Sequence, residues 1–129
     1  MPEDREREGI ISLLSVRENL VLNSLKRLSR GHLVNQRREK EFVSSIIDMF
    51  GIKTSSPEQE VAHLSGGNKQ KVVVGRIAST QPKILLLDEP TKGVDISTRE
   101  SILAITRDKL SETAGIILTS PGLEDLIQI

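Results

Sequence analysis

Leu64-Ser65-Gly66-Gly67-Asn68-Lys69-Gln70-Lys71, then Ile84-Leu85-Leu86-Leu87-Asp88-Glu89-Pro90, then Lys92-Gly93-Val94-Asp95, are the stretches that decide how this chain folds. The Ser-Gly-Gly turn opens a helix predicted over Leu64 to Ser79, with Val72, Val73, Ile77 and Ala78 pointing inward. Ile84 to Leu87 is apolar at every position, the pattern of a strand covered on both faces in a parallel sheet. Ser97-Thr98-Arg99-Glu100 has the spacing of a capping box, opening a helix with Ile102, Leu103, Thr106 and Leu110 on its buried side. Gly115 then leads into Ile116-Ile117-Leu118, a second apolar strand. Strand, helix and strand of these lengths make a right-handed parallel crossover. The fold class is therefore α/β.

The N-terminal half reads as mainly helical. Gly9 to Leu14 is a short apolar run with the look of a strand. Ser15-Val16-Arg17-Glu18 is a capping box, so a helix is predicted from there to about Lys26. Ser29 to Asn35 reads as a polar connection. Phe42, Ile46, Ile47 and Phe50 share one face of the next helix, which Gly51 is placed to close. Thr54-Ser55-Ser56-Pro57 is a turn, and Ser56, Pro57 and Gln59 suit one short helical turn. The last segment, Leu123 to Ile129, is amphipathic without a stop signal, and Met1-Pro2 opens a charged loop. The expectation is a piece of a longer protein.

Composition narrows the function classes. Apolar residues are 36% and charged residues 28% of the 129, ordinary for a globular chain with a core. Lys plus Arg and Asp plus Glu number 18 each, so no net field draws in nucleic acid or anionic lipid. Two Phe with no Trp or Tyr leave little for base stacking. The absence of Cys excludes disulfides and thiolate metal sites. No apolar run approaches the roughly 18 residues of a membrane span, and Glu3 to Glu8 is too charged for a signal peptide.

Chemistry concentrates at two places. A helix N-terminus presents unpaired N–H groups and a favourable dipole to an anion, and two glycines let a phosphate approach the backbone closely. Taken alone, Ser65-Gly66-Gly67 is usually just a turn with an N-cap. Lys69 and Lys71 in the first turns oppose the helix dipole, a local cost that makes sense if an anion docks there. Asp88 and Glu89 end an apolar strand and point in different directions, so one can serve a metal and the other a water. Asp88 is predicted to hold Mg²⁺ through its water shell, and Glu89 to polarise or deprotonate an attacking water. Their bland reading is a pair of acids starting a turn before Pro90. Gly93 and Asp95 read alone as turn residues, and Ser120 as a loop serine. His32 and His63 read as solvated, and Arg37 to Glu41 as a solvated helix face with intrahelical pairs.

Together and in this order the motifs resemble the ABC-transporter ATPase family, and within it the second nucleotide-binding half of bacterial simple-sugar importers of the ribose, galactose and xylose type. Leu64 to Asn68 with Lys71 is similar to the signature motif, Ile84 to Glu89 to Walker B with its catalytic Glu, and Gly93-Val94-Asp95 to the D-loop. Pro2-Glu3-Asp4-Arg5 resembles the segment at the Q-loop and puts Glu3 at the Gln position. Ser120 falls at the switch His, where a Ser is usual in the sugar subfamily, although Pro121-Gly122 departs from the more common Glu-Leu. Lys69, where Gln is more usual, and Ser97-Thr98, where Gly-Ala is common, also depart without touching the expected chemistry.

The resemblance implies a fragment of a P-loop-type ATPase core, parallel strands with a crossover helix, plus a mainly helical signature subdomain. Residues 1–8 would be the Q-loop-like segment, 9–80 the helical subdomain, and 81–129 part of the ATP-binding core. Glu89 is the implied catalytic acid and Asp88 the metal ligand. Ser65, Gly66, Gly67, Asn68, Gly93, Asp95, Glu3 and Ser120 are the implied nucleotide-binding residues. The implied cofactors are ATP and Mg²⁺. The implied partners are a second ATPase half in a head-to-tail dimer, membrane-spanning permease subunits and, indirectly, a sugar-binding protein, at the cytoplasmic face of the plasma membrane. No nucleic acid is expected.

No Gly-x-x-x-x-Gly-Lys occurs in the chain, so the α- and β-phosphates of a nucleotide have no cradle within these residues. The chain by itself is expected to be inactive, and the apolar faces and free edges of its strands to leave it an oligomer, domain-swapped or locally rearranged. Two other classes compete. ATPases of the same family in DNA repair or chromosome organisation carry long coiled-coil insertions before the signature, for which Gly9 to Leu64 is too short. A stand-alone interaction module would have no need of Glu89 beside Asp88.

Overall fold

The computed structural model describes residues 9–30 and 33–129. In chain order the elements are helix α1 (Val16–Val21), a 3₁₀ turn (Leu22–Ser24), α2 (Leu25–Leu28), strands β1 (Ser29–Arg30) and β2 (Leu33–Val34), α3 (Gln36–Phe50), a 3₁₀ turn (Val61–His63), α4 (Gly66–Ala78), β3 (Ile84–Asp88), α5 (Ile96–Ile105), a π-helical turn (Thr106–Leu110), β4 (Gly115–Thr119) and α6 (Leu123–Ile127). One hydrophobic cluster runs from α1 through α2, α3 and α4 to β3. Val16 and Leu20 of α1, Phe50 of α3, Val73 of α4 and Leu87 of β3 are all almost wholly buried in it.

The capping box at Ser15 forms: its hydroxyl accepts the Glu18 N–H, and Glu18 accepts the Ser15 N–H at 2.8 Å. The helix it starts does not run on to Lys26 as one rod, because the chain tightens into the 3₁₀ turn at Leu22 before α2. Gly9 to Leu14 is not a strand either. Its backbone turns, and the buried amide of Asn19 satisfies it, accepting the Ile11 N–H at 2.9 Å and donating to the carbonyls of Ile11, Leu14 and Ser15. A buried amide that meets a loop's backbone groups replaces the ladder a strand would need. The polar connection contains a minimal antiparallel ladder, Ser29 opposite Val34 and Arg30 opposite Leu33.

α3 follows its sequence pattern, with Asn35 as N-cap and Gly51 closing it at φ +55°. Arg17 of α1 bridges Glu39 of α3 at 2.6 Å and Glu58 of the following loop at 2.7 Å, which raises its already high pKa. α4 crosses α3 at close range: a Cβ on Gly75 would lie 2.9 Å from Ile46 Cγ2. α5 is capped by Asp95, not by the Ser97 box. Asp95 Oδ1 takes the Thr98 N–H at 2.9 Å, and the Ser97 hydroxyl itself donates to that oxygen. An acidic N-cap two residues earlier outcompetes a serine whose hydroxyl it already binds.

β3 and β4 pair in parallel, with Ile84 opposite Gly115 and Asp88 opposite Thr119. The sequence reads these strands as covered on both faces within a larger sheet, and within this chain one of the two faces meets water. Leu85 and Leu87 are buried against the helices. Ile84, Leu86 and Ile117, on the other face, are 67%, 53% and 54% exposed. Among the described residues nothing layers that second face. In the terminal segment Leu123, Leu126 and Ile127 face solvent, and the buried residue of α6 is Asp125.

Candidate functional site

Three chain turns meet where β3 and β4 end: the start of α4, the β3–α5 connection, and the residues after β4. At the first, Ser65 caps α4. Its hydroxyl oxygen accepts the Asn68 amide nitrogen at 2.9 Å and the Asn68 N–H at 3.4 Å. Asn68 Oδ1 in turn accepts the Lys53 N–H at 2.8 Å, so this side chain fixes the cap to the loop after α3. Ser65 and Gly66 are exposed, whereas Gly67 is buried. A Cβ on Gly67 would sit 2.5 Å from Thr98 Oγ1 and 2.9 Å from Thr98 Cγ2. The second glycine thus lets the first turn of α4 press against the first turn of α5. Lys71, one turn on, donates to the Gly51 carbonyl at 3.2 Å, the C-terminal end of α3. Burial lowers its pKa first and Lys53 next, with Asp95 opposing both.

The second turn carries the paired acids. The Thr119 hydroxyl donates to Asp88 Oδ1 across the strand pair. The Glu89 N–H is shared between the Thr119 carbonyl at 3.2 Å and the Thr119 hydroxyl at 3.3 Å. Glu89 stands at φ +42°, a strained conformation for a residue with a Cβ, which bends the chain away from the strand. Its carboxylate meets Lys92 Nζ at 2.8 Å. Gly93 follows at φ +67°, the left-handed region a glycine tolerates. Asp95 receives Thr98 twice, through the backbone N–H and through the hydroxyl at 2.8 Å. The Ser97 hydroxyl and then these Thr98 donors hold its carboxyl far below the usual carboxylate range. Gln70, buried in α4, donates Nε2 to the Pro90 carbonyl at 2.6 Å and so ties α4 to the turn behind the acids.

The third turn brings Ser120 to a buried carboxylate. Asp125, 2% exposed, accepts the Ser120 hydroxyl at 2.6 Å, the Thr91 hydroxyl at 2.8 Å, and Arg99 Nε. Burial alone would raise the Asp125 pKa. Hydrogen bonds from Ser120, Arg99 and Thr91 outweigh it and keep the pKa below the ordinary value. Lys92, Arg99, Ser120 and Glu124 are among the residues around a cleft of about 420 Å³ at this point.

The structure therefore links Ser65, Gly66, Gly67 and Asn68 to Asp95 through Thr98, and to the Asp88–Glu89 turn through Gln70. Ser120 joins the same end through Asp125 and Thr91. Glu3 lies outside the described residues. Four contributors escape a reading of the sequence: Thr119, Gln70, Lys92 as the partner of Glu89, and Asp125. Gln70 had a signal, a polar residue set among positions of α4 that face inward. Thr119 had none, because its role comes from strand register.

Oxygen donors and no soft ligand suit a hard divalent cation such as Mg²⁺. Among the described residues no three His, Asp or Glu side chains gather, so Asp88 offers one carboxylate and the rest of such a shell would come from water and phosphate oxygens.

The profile of the ABC transporter family matches residues 4–92. The ribose import ATP-binding protein RbsA of Shouchella clausii is 37% identical over 127 residues, covering 98% of this chain and 26% of that protein. RbsA of Bacillus subtilis is 40% identical over 125 residues, covering 97% and 25%. The chain thus spans about a quarter of the length of the curated relatives it matches. Among solved structures, a dimeric bacterial ABC transporter cassette superposes with a TM-score of 0.77 at 24% identity, covering 95% of this chain and 53% of the cassette. A post-hydrolysis cassette dimer bound to ADP and Pi gives 0.75 at 24% identity, covering 91% and 50%. At that identity the likeness establishes the fold.

Proposed function

Since this chain belongs to the ABC transporter family, we propose that it carries half-site machinery of an ATP-hydrolysing subunit that drives uptake of a simple sugar, with ribose the first candidate from its relatives' names. The observation that carries this reading is the placement of Asp88 and Glu89 at the C-terminal end of a parallel strand, with Thr119 bonded to both and Gln70 bonded to the next residue, Pro90.

Each group then has a task. Ser65, Gly66 and Asn68 present the start of α4 to the phosphates of a nucleotide held by a second ATPase half in a head-to-tail dimer. Gly67 acts by letting α5 close on α4, and Gly93 and Asp95 shape the turn that α5 leaves. Asp88 holds the water shell of Mg²⁺, with Thr119 fixing one of its oxygens. When bound, Mg²⁺ supplies charge neutralisation on the transferred phosphoryl group. Glu89 is the carboxylate base that takes a proton from the attacking water, and to do so it exchanges Lys92 for that water. Ser120 faces the same end, and Glu3 is a further nucleotide contact proposed from the sequence alone. On this reading residues 9–80 form the helical part and 81–129 the partial nucleotide core. The full subunit sits on permease subunits at the cytoplasmic face of the membrane, which a sugar-binding protein feeds from the other side.

The test is phosphate release by the full subunit reconstituted with its permease, across a panel of pentoses and hexoses with the binding protein present. Stimulation by one sugar, with matching uptake, is expected. Hydrolysis that responds to no sugar, with no uptake, would contradict the import reading.

A further inference from the structure

Asp125 is a buried carboxylate that no step above uses. Its surroundings are those of a junction. Thr91, which donates to Oδ2 at 2.8 Å, lies two residues beyond Glu89 and one beyond Pro90, the residue Gln70 holds. Arg99, which donates to Oδ1 and also reaches Glu124 at 3.5 Å, lies in the first turns of α5, beside the Thr98 that packs on Gly67. Ser120, which donates to Oδ2 at 2.6 Å, immediately follows Thr119, the residue bonded to both Asp88 and Glu89. The three donors come from separate chain segments, and one side chain takes all of them.

The direction of these bonds matters. The Ser120 proton is committed to Asp125, and the Ser120 oxygen also accepts the Gly122 N–H at 3.2 Å. Its hydroxyl is thus oriented from behind, and what it offers the cleft is the remaining lone pair, an acceptor. Without the carboxylate, the hydroxyl would turn freely and Thr91 and Arg99 would lose their common anchor. A group fully buried and satisfied by three donors holds its neighbours more tightly than an exposed pair can.

We propose that Asp125 is a positioning residue of the hydrolytic site: it fixes the orientation of the Ser120 hydroxyl and locks it to the Glu89 turn through Thr91 and to the start of α5 through Arg99. This rests on the reading of Asp88 and Glu89 as the hydrolytic pair. A carboxylate acting this way touches no substrate, so its loss lowers turnover and leaves substrate affinity nearly unchanged.

The experiment compares Asp125→Asn, Ser120→Ala and the double variant in the full subunit, with Glu89→Gln alongside and melting temperatures recorded for all. Asp125→Asn should lower kcat roughly ten- to a hundredfold, the scale of a catalytic group misplaced by about an ångström, with KM for Mg-ATP within about twofold. The double variant should fall little below the worse single, because both act through one bond. If Glu89→Gln abolishes hydrolysis while Asp125→Asn stays within twofold of the parent, the positioning role is wrong and the hydrolytic pair stands. Full additivity with Ser120→Ala overturns the role as well. If Glu89→Gln itself hydrolyses normally, the underlying reading of the site is what fails. Should Asp125→Asn not fold, Thr91→Val and Ser120→Ala replace it, each removing one arm, and independent effects of those two overturn the proposal.

Discussion

Replacing Gly67 with Ala is the sharpest probe of how the start of α4 is built. The added Cβ would meet Thr98 Oγ1 at 2.5 Å, Cγ2 at 2.9 Å and Cβ at 3.1 Å, so Thr98 must move. Thr98 is not free to do so, because its hydroxyl and N–H both serve Asp95, the cap of α5. Rotating the side chain gives up one hydrogen bond, about 1 kcal/mol, and backing the helix away costs about 1–3 kcal/mol of overpacking. Against that stands the helix preference of Ala over Gly, at most about 1 kcal/mol. The expected net loss is about 1–3 kcal/mol, measured by denaturant unfolding of the 129-residue chain. Combining Gly67→Ala with Thr98→Ala removes the obstructing atoms, so the double variant should lose clearly less than the sum of the singles. Gly67→Ala as stable as the parent, or full additivity with Thr98→Ala, would refute the close approach. It would return Gly67 to the role of a plain turn residue.

Three further outcomes are expected. The depressed pKa of Asp95 means its contribution is complete above the unfolded carboxylate range near about 4. That contribution drains away only as pH falls toward its lower folded value, so Asp95→Asn should flatten the acid limb of a stability–pH curve and leave the alkaline side unchanged; parallel acid limbs would contradict this. The 129-residue chain alone, having no Gly-x-x-x-x-Gly-Lys, should give background phosphate release with Mg-ATP, and turnover in the range of roughly 1–100 s⁻¹ would contradict it. The exposed strip of Ile84, Leu86 and Ile117 should make the chain self-associate in light scattering over a concentration series, and Ile117→Lys should reduce it; a monodisperse monomer with no dye-accessible apolar surface would be the contrary result.

What could be read from the sequence were features that local chemistry fixes. The Ser15–Glu18 box, the left-handed Gly51 and the Ser65 cap depend on residues within a turn of one another, and all three form. The parallel strand pair follows from two unbroken apolar runs around a helical stretch. Failures came where a distant partner decides. The run at Ile10 to Leu14 has strand composition, but Asn19 eight residues from Ile11 takes its backbone groups. Ser97 has the capping spacing, but Asp95 binds both its hydroxyl and the N–H that a cap serves. At the site, the paired acids and the glycine turn stood out by residue type. Thr119 and Asp125 did not, because each acts across strand register or between distant segments, and one sequence holds no record of which elements meet.

The proposed role of Glu89 is that of the base that activates water for phosphoryl transfer. Its most direct test is the full subunit carrying Glu89→Gln, with bound nucleotide and released phosphate measured in the same sample. The amide keeps the shape of the side chain and loses the base, so nucleotide binding should persist while phosphate release falls roughly a hundredfold or more. Phosphate release within a few-fold of the parent would contradict it.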